Sequence, residues 1–293
     1  MRGTTSRAAF EIFREGVRAR SNPFTQERWQ ASHDFFKKAI EKDTGLSFAE
    51  ARAKRVGYPR AWSWMAYGLA LSYFEGWQSA SPLKDVEEFS DLALALDEFD
   101  YHNHWVAAFV HLLTGNTKRV EEHMNESLDL NEEDSNMNVL NEMADVLVWL
   151  GRPDEAVKLL DRGRRTTDWN RWSMAWSFYF MAKDNPAYYD RALKEISRTF
   201  WKPGQEQYER DIQLLVAAIY AQKAALLEQE GRSSEAAVAL KYSQAAKSVF
   251  DAERSGWTIA DEMRRMPFAN TEAGKASRDH WQDGLSRIGL AAK

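Results

Sequence analysis

The stretch DYHNHWVAAFVH places Asp100, His102, His104 and His111 within twelve residues. Imidazole and carboxylate donors at such separations are what a transition metal takes, and His104 and His111, two helical turns apart, share one face. Those two positions also align with Leu140 and Leu147 of a neighbouring segment. They therefore read as packing histidines with ordinary hydrogen bonds, and no metal ion or other cofactor is expected. Carboxylates in EEHMNESLDLNEED, Glu121 to Asp134, have the types for acid–base work. Their spacing strings them along the outer face and end of one helix, where they read as a solvated surface.

Gly115-Asn116-Thr117-Lys118 has the composition of a phosphate loop but lacks its leading glycine and falls at a hairpin turn. The nucleotide-binding, nucleophile-elbow and zinc-protease motifs do not occur. Arginines gather in ARAKRVGYPR, Arg52 to Arg60, and again from Arg162 to Arg171. Structural ion pairing is the simpler reading of both, with capture of an acidic partner as the other. The chemistry-bearing residues thus point away from catalysis, and the elements that position them carry more information.

Those elements are helices. Apolar residues recur with period 3.6 along the chain, whereas alternating strands and their turn pairs are scarce. The 293 residues, 44% apolar and rich in Trp, Tyr and Phe, suffice to fill a core. A net charge of −5 argues against a nucleic-acid partner, because neutralising phosphates takes clustered cations in excess of acids. The absence of cysteine removes disulfides and thiolate chemistry. No segment has the apolar run of a signal or a spanning helix, so the expectation is a cytoplasmic protein with no membrane insertion.

HWVAAFVHLLTGNTKRVEEHM and LNEMADVLVWLGRPDEAVKLL superpose with Gly115 on Gly151, 36 residues apart, and with Ala108 on Ala144 and Val120 on Ala156. This is close to the period of about 34 of tetratricopeptide repeats. Small residues at matched points let paired helices approach, Gly151 ends the first helix, and Pro153 opens the second. Upstream, AWSWMAYGLALSYFEGW puts Trp64, Gly68 and Leu71 at packing positions, and its partner DVEEFSDLALALD follows the loop QSASPLK. A first hairpin turns around Asn22-Pro23, and later ones are built on RWSMAWSFYFMA with YYDRALKEI and on the long segment through Gly231.

The expected architecture is all-α: a right-handed α-solenoid of about five tetratricopeptide-like hairpins over residues 1–250, closed by a helical capping segment at 251–293. Pro267 splits that segment into two helices.

The order of these features resembles the tetratricopeptide regions downstream of bacterial class III adenylate cyclase domains and in related stand-alone proteins. FFKKAIEKD, HWVAAFVHLLTGNTKRVEEHMNESLDLN, MADVLVWLGRPDEAVKLLDRG, GWTIADEMRRMPF and DGLSRIGL carry the resemblance. It implies a signalling or regulatory setting. No cyclase catalytic domain accompanies it, so nucleotide cyclisation is not implied.

In a solenoid of this kind the first helices line a concave face. The register projects Trp62, Met65 and Tyr73 onto it, then His102, Trp105 and Phe109, then Asn138, Asn141, Asp145 and Trp149, and finally Asn170, Ser173, Ser177 and Met181. Such a face suits a protein or peptide partner, anchored on aromatic rings and held through Asn side chains. The lysine clamp for a C-terminal carboxylate is missing. The expected function is accordingly a non-enzymatic scaffold. The alternatives are a small-ligand receptor or enzyme with an aromatic pocket closed by the C-terminal segment, and a homo-oligomer.

Overall fold

A computed structural model describes residues 3–20, 25–75, 77, 83–131, 136–163, 167–199 and 206–293. The turn expected at Asn22-Pro23, most of the QSASPLK loop, and Arg164 and Arg165 lie outside them. Among the described residues the fold is all-α, with no strand. The helices are α1 (Arg7–Ala19), α2 (Gln26–Thr44), α3 (Phe48–Lys54), α4 (Pro59–Phe74), α5 (Leu83–Leu96), α6 (Tyr101–Leu113), α7 (Thr117–Leu130) and α8 (Met137–Trp149). They continue as α9 (Pro153–Asp161), α10 (Asp168–Met181), α11 (Ala187–Ile196), α12 (Glu206–Gln229), α13 (Ser233–Glu253), α14 (Ile259–Arg265) and α15 (Glu272–Arg287).

Short polar side chains start many of them. Ser6, Thr25, Asp100, Asn116, Thr167 and Thr271 each accept a hydrogen bond from a first-turn N–H that would otherwise lack a partner. Ser47 and Thr258 extend this to reciprocal capping boxes with Glu50 and Asp261.

Two hairpin turns are copies of one device. In Gly151-Arg152-Pro153-Asp154-Glu155-Ala156 the glycine takes φ +81°, and in Gly231-Arg232-Ser233-Ser234-Glu235-Ala236 it takes φ +75°. Each next arginine reaches the glutamate three residues on through two bonds, of 2.7 and 2.6 Å for Arg152 and of 2.8 and 2.6 Å for Arg232. The alanine that follows is fully buried in both. The left-handed glycine stops one helix, and the alanine lets the next pack closely.

The chain divides into two compact units, Met1–Val139 and Leu140–Lys293, and residues 250 and 251 both lie within α13. In the first unit α1 pairs with α2, α4 with α5 and α6 with α7, while α4 also packs on α2 and α6. Gly68 permits the contact with α2. A Cβ there would lie 2.5 Å from His33 Nε2 and 2.9 Å from the Trp29 ring.

In the second unit α10 packs on α9 and α11, α12 pairs with α13, and the two terminal helices α14 and α15, separated at Pro267, meet each other. The last helix lies on α10 and α12, where the buried Trp281 sets its ring 4.7 Å from Trp176 and 5.4 Å from Tyr179. A buried ion cluster ties α14 to α12: Arg265 donates to Asp211 at 3.0 and 3.2 Å, and Trp257 Nε1 donates to Glu262 at 3.0 Å.

Candidate functional site

The histidine-rich stretch resolves into packing. Asp100, wholly buried, caps α6 by accepting from the His102 N–H at 3.1 Å and receives two bonds from Arg60, at 2.5 and 3.0 Å. The Arg60 charge holds its carboxyl below the usual range, against the opposing pull of burial. His104 Nε2 lies 2.7 Å from the Glu98 carbonyl, which can only accept, so that nitrogen carries the proton. His104 Nδ1 lies 3.1 Å from His123 Nδ1, so one proton is shared between the two rings. The His111 ring stacks on His123 at 5.4 Å and 8°. Burial keeps His123 neutral, lowering it to about 4. No three ligating groups converge on a metal position among the described residues.

The first-unit residues projected onto the concave face separate into two environments. Trp62 is fully buried, donates its indole N–H to the Val56 carbonyl at 3.1 Å, and packs 5.1 Å from Phe48 and 5.2 Å from Phe89. Met65 and Phe109 are also buried, Tyr73 is half-buried, and Asn138 is exposed. His102 and Trp105 are buried as well, and both meet the ring of Trp64. Trp64, placed by sequence among packing positions, is half-buried and lies 4.8 Å from the His102 ring.

Trp64, Tyr67 and Trp105 stand nearly perpendicular to one another. The ring pairs are 5.5 Å apart at 78°, 4.7 Å at 79° and 6.2 Å at 84°. Edge-to-face contacts of this kind hold aromatic side chains in fixed orientations. Tyr67 and Trp105 are buried behind the partly open Trp64, so two neighbouring helices, α4 and α6, present one rigid ring with a firm backing.

In the second unit Asn141, Asn170 and Ser173 are buried and Asp145 and Trp149 half-buried. Asn170 Nδ2 donates to the Leu160 carbonyl at 3.4 Å. Desolvation, reinforced by Glu142 and opposed by Ser173, pushes the Asp145 carboxyl well above the usual carboxylate range. The Trp149 carbonyl accepts from the Ala269 N–H at 2.9 Å, so the C-terminal segment reaches the end of α8.

A polar group that the sequence reading did not single out lies under α15. Gln222 Nε2 donates to the His280 carbonyl at 3.1 Å and to Tyr179 Oη at 3.3 Å, and Tyr189 donates to Gln222 Oε1. Arg287 donates to Asp283 at 2.7 Å. Burial lowers His280 to about 4 and raises both tyrosines. Tyr189, Gln222, His280, Asp283 and Arg287 line a depression of about 200 Å³.

Two arginines of the first basic stretch are paired: Arg52 bonds Asp85 and Glu88 at 2.7 Å each, and Arg60 bonds Asp100. In the second stretch Arg171 donates to the Arg198 carbonyl at 2.7 Å. The acidic Glu122 lies near Lys118 and Arg119 on the outer face of α7. Gly115, with φ +75°, and Asn116, the cap of α7, form the turn expected of them. Among the described residues, no helix is long and apolar enough to cross a membrane. The chain matches no protein-family model and no curated protein sequence.

Proposed function

We propose that this protein is a non-enzymatic binding scaffold, built within each unit from tetratricopeptide-like hairpins, that captures a segment of a partner protein on the α4–α6 aromatic face. Of the projected groove it keeps His102 and Trp105, and it adds Trp64, which the register placed at a packing position. The observation that carries it is the half-buried Trp64 backed by perpendicular, buried Tyr67 and Trp105. A large ring held at the surface in one orientation loses little entropy when a partner covers it, which is the property of an anchor residue.

Three features support the tetratricopeptide-like part of the proposal: the matched Gly-Arg turns, the contact of α4 with both α5 and α6, and buried small residues early in second helices. The cyclase-associated resemblance supports a signalling setting in bacteria, with the protein in the cytoplasm. The test is to pan a random-peptide display library against the full chain and repeat the capture with Trp64→Ala. Peptides enriched on the parent and lost on the variant support the reading; equal capture by a variant of unchanged helicity overturns it.

A second reading, a small-ligand receptor, draws on the polar groups that converge at the α15 depression. Thermal stabilisation by members of a metabolite panel, abolished by Tyr189→Phe, selects that reading instead.

A further inference from the structure

The Trp64 ring already carries a cation from its own chain. Arg20, the C-cap of α1, sets its guanidinium carbon 3.9 Å from the centre of the Trp64 ring and 5.4 Å from that of Trp29. A planar cation over an indole face is held by the ring quadrupole and by stacking, and arginine does this better than the compact ammonium of lysine. Tyr67 and Trp105, nearly perpendicular to Trp64 and to each other, complete a corner of three ring planes.

His102 borders the same corner, 4.8 Å from Trp64 and 4.9 Å from Trp105. Its Nδ1 shares a hydrogen bond of 3.1 Å with Ser63 Oγ, while its buried Nε2 makes no hydrogen bond of ordinary geometry, although the Asn103 side chain acts on the same imidazole. A buried nitrogen without a partner is costly, and it marks a place where a donor is wanted when Ser63 takes the Nδ1 proton. The imidazole is kept neutral by burial and by the charges of Arg60 and Arg20, which lower it to about 3, so the ring adds no like charge of its own, while Arg60 is paired with Asp100.

These features select the ligand chemically. A quaternary ammonium stacks on rings but brings no N–H. An alkylammonium brings N–H groups without a plane to lie on Trp64. A guanidinium brings both. We infer that the Trp64 corner is a guanidinium-binding site, that Arg20 fills it in cis, and that its ligand in trans is an arginine side chain of the partner segment. The cis occupant lowers the apparent affinity of the trans ligand by the fraction of time it vacates the site. Arg20 thereby sets a threshold that only a partner with further contacts passes.

This inference rests on reading the α4–α6 face as a binding surface, and its test is separable from that reading. The full chain and its Arg20→Ala variant are titrated with N-acetyl-arginine methylamide, with the lysine analogue as control, following tryptophan fluorescence. The variant is expected to bind the arginine probe about tenfold more tightly than the parent, because the competitor is gone. Trp64→Leu in the Arg20→Ala background is expected to abolish the response. If Arg20→Ala loses helicity, Arg20→Gln, which keeps the aliphatic stem, is read in the same way. A folded variant that gives no saturable response, prefers lysine equally, or responds without Trp64 overturns the inference. If peptide capture still depends on Trp64 in that case, the binding-surface reading stands and arginine is excluded as its anchor.

Discussion

Trp62 and Trp64 stand two residues apart on α4 and meet opposite surroundings: Trp62 is wholly buried between Phe48 and Phe89, whereas Trp64 keeps part of its ring open beside His102. Their replacement by alanine should therefore separate stability from binding. Trp62→Ala is expected to cost ~3–5 kcal/mol, the range for truncating a buried large ring, and Trp64→Ala less than about half of that. Urea unfolding of the two variants measures this, and equal losses would place both rings in the core.

Gly115 and Gly151 take the same left-handed backbone in corresponding turns, but only one is crowded. A Cβ on Gly115 meets nothing within 4 Å, whereas one on Gly151 would lie 2.3 Å from the Ala273 carbonyl carbon. Gly115→Ala should cost ~1–2 kcal/mol for the backbone conformation alone. Gly151→Ala should cost more and should also loosen the start of α15. Hydrogen exchange over residues 272–287 reads that second effect, and protection equal to the parent's would contradict it.

The ion cluster at Asp211 gives a third prediction. Removing its charge with Asp211→Asn takes from the buried Arg265 its nearer carboxylate at 3.0 Å, leaving Glu262 at 3.4 Å, and should cost up to ~3–5 kcal/mol. Arg264→Ala, which removes an exposed pair with Asp261 at 3.1 Å, should cost less than about 1 kcal/mol. Denaturant midpoints of the two variants should differ clearly in that order.

Acid should weaken the fold before its carboxylates titrate. Desolvation holds His33, His123 and His280 at about 4 and His102 at about 3, below the ordinary 6.5. Between those values the unfolded chain binds more protons than the folded one, so stability is full above about pH 6.5 and falls toward about pH 4. The raised carboxyls of Asp145 and Glu262 act in the opposite sense, but the four histidines outnumber them. Urea midpoints should drop from about pH 7 to about pH 5, and a flat profile would show that these histidines charge freely in the native state.

What the sequence revealed follows from how local each determinant is. Gly115, Gly151 with Pro153, and Gly231 mark turns through backbone preferences that need no tertiary contact, and Pro267 separates α14 from α15 for the same reason. The orientation of α4 was not legible. It is buried on nearly every side, against α2, α5 and α6, so its apolar pattern has no single stripe to set a register. The projected register accordingly puts Trp64 among packing positions and Trp62 on the concave face. The seven-residue α3 is too short for periodicity to reveal. The group under α15 depends on contacts such as Tyr179 with His280, 101 residues apart, which leave no trace in local spacing.

Trp64 is proposed as the anchor of a partner segment. The most direct measurement is the equilibrium affinity of a library-selected peptide for the parent and for Trp64→Ala, titrated side by side with helicity confirmed by circular dichroism. A loss of about thirtyfold or more is expected, in keeping with a cost of at least ~2 kcal/mol for an anchoring tryptophan. Affinities that agree within error would contradict it.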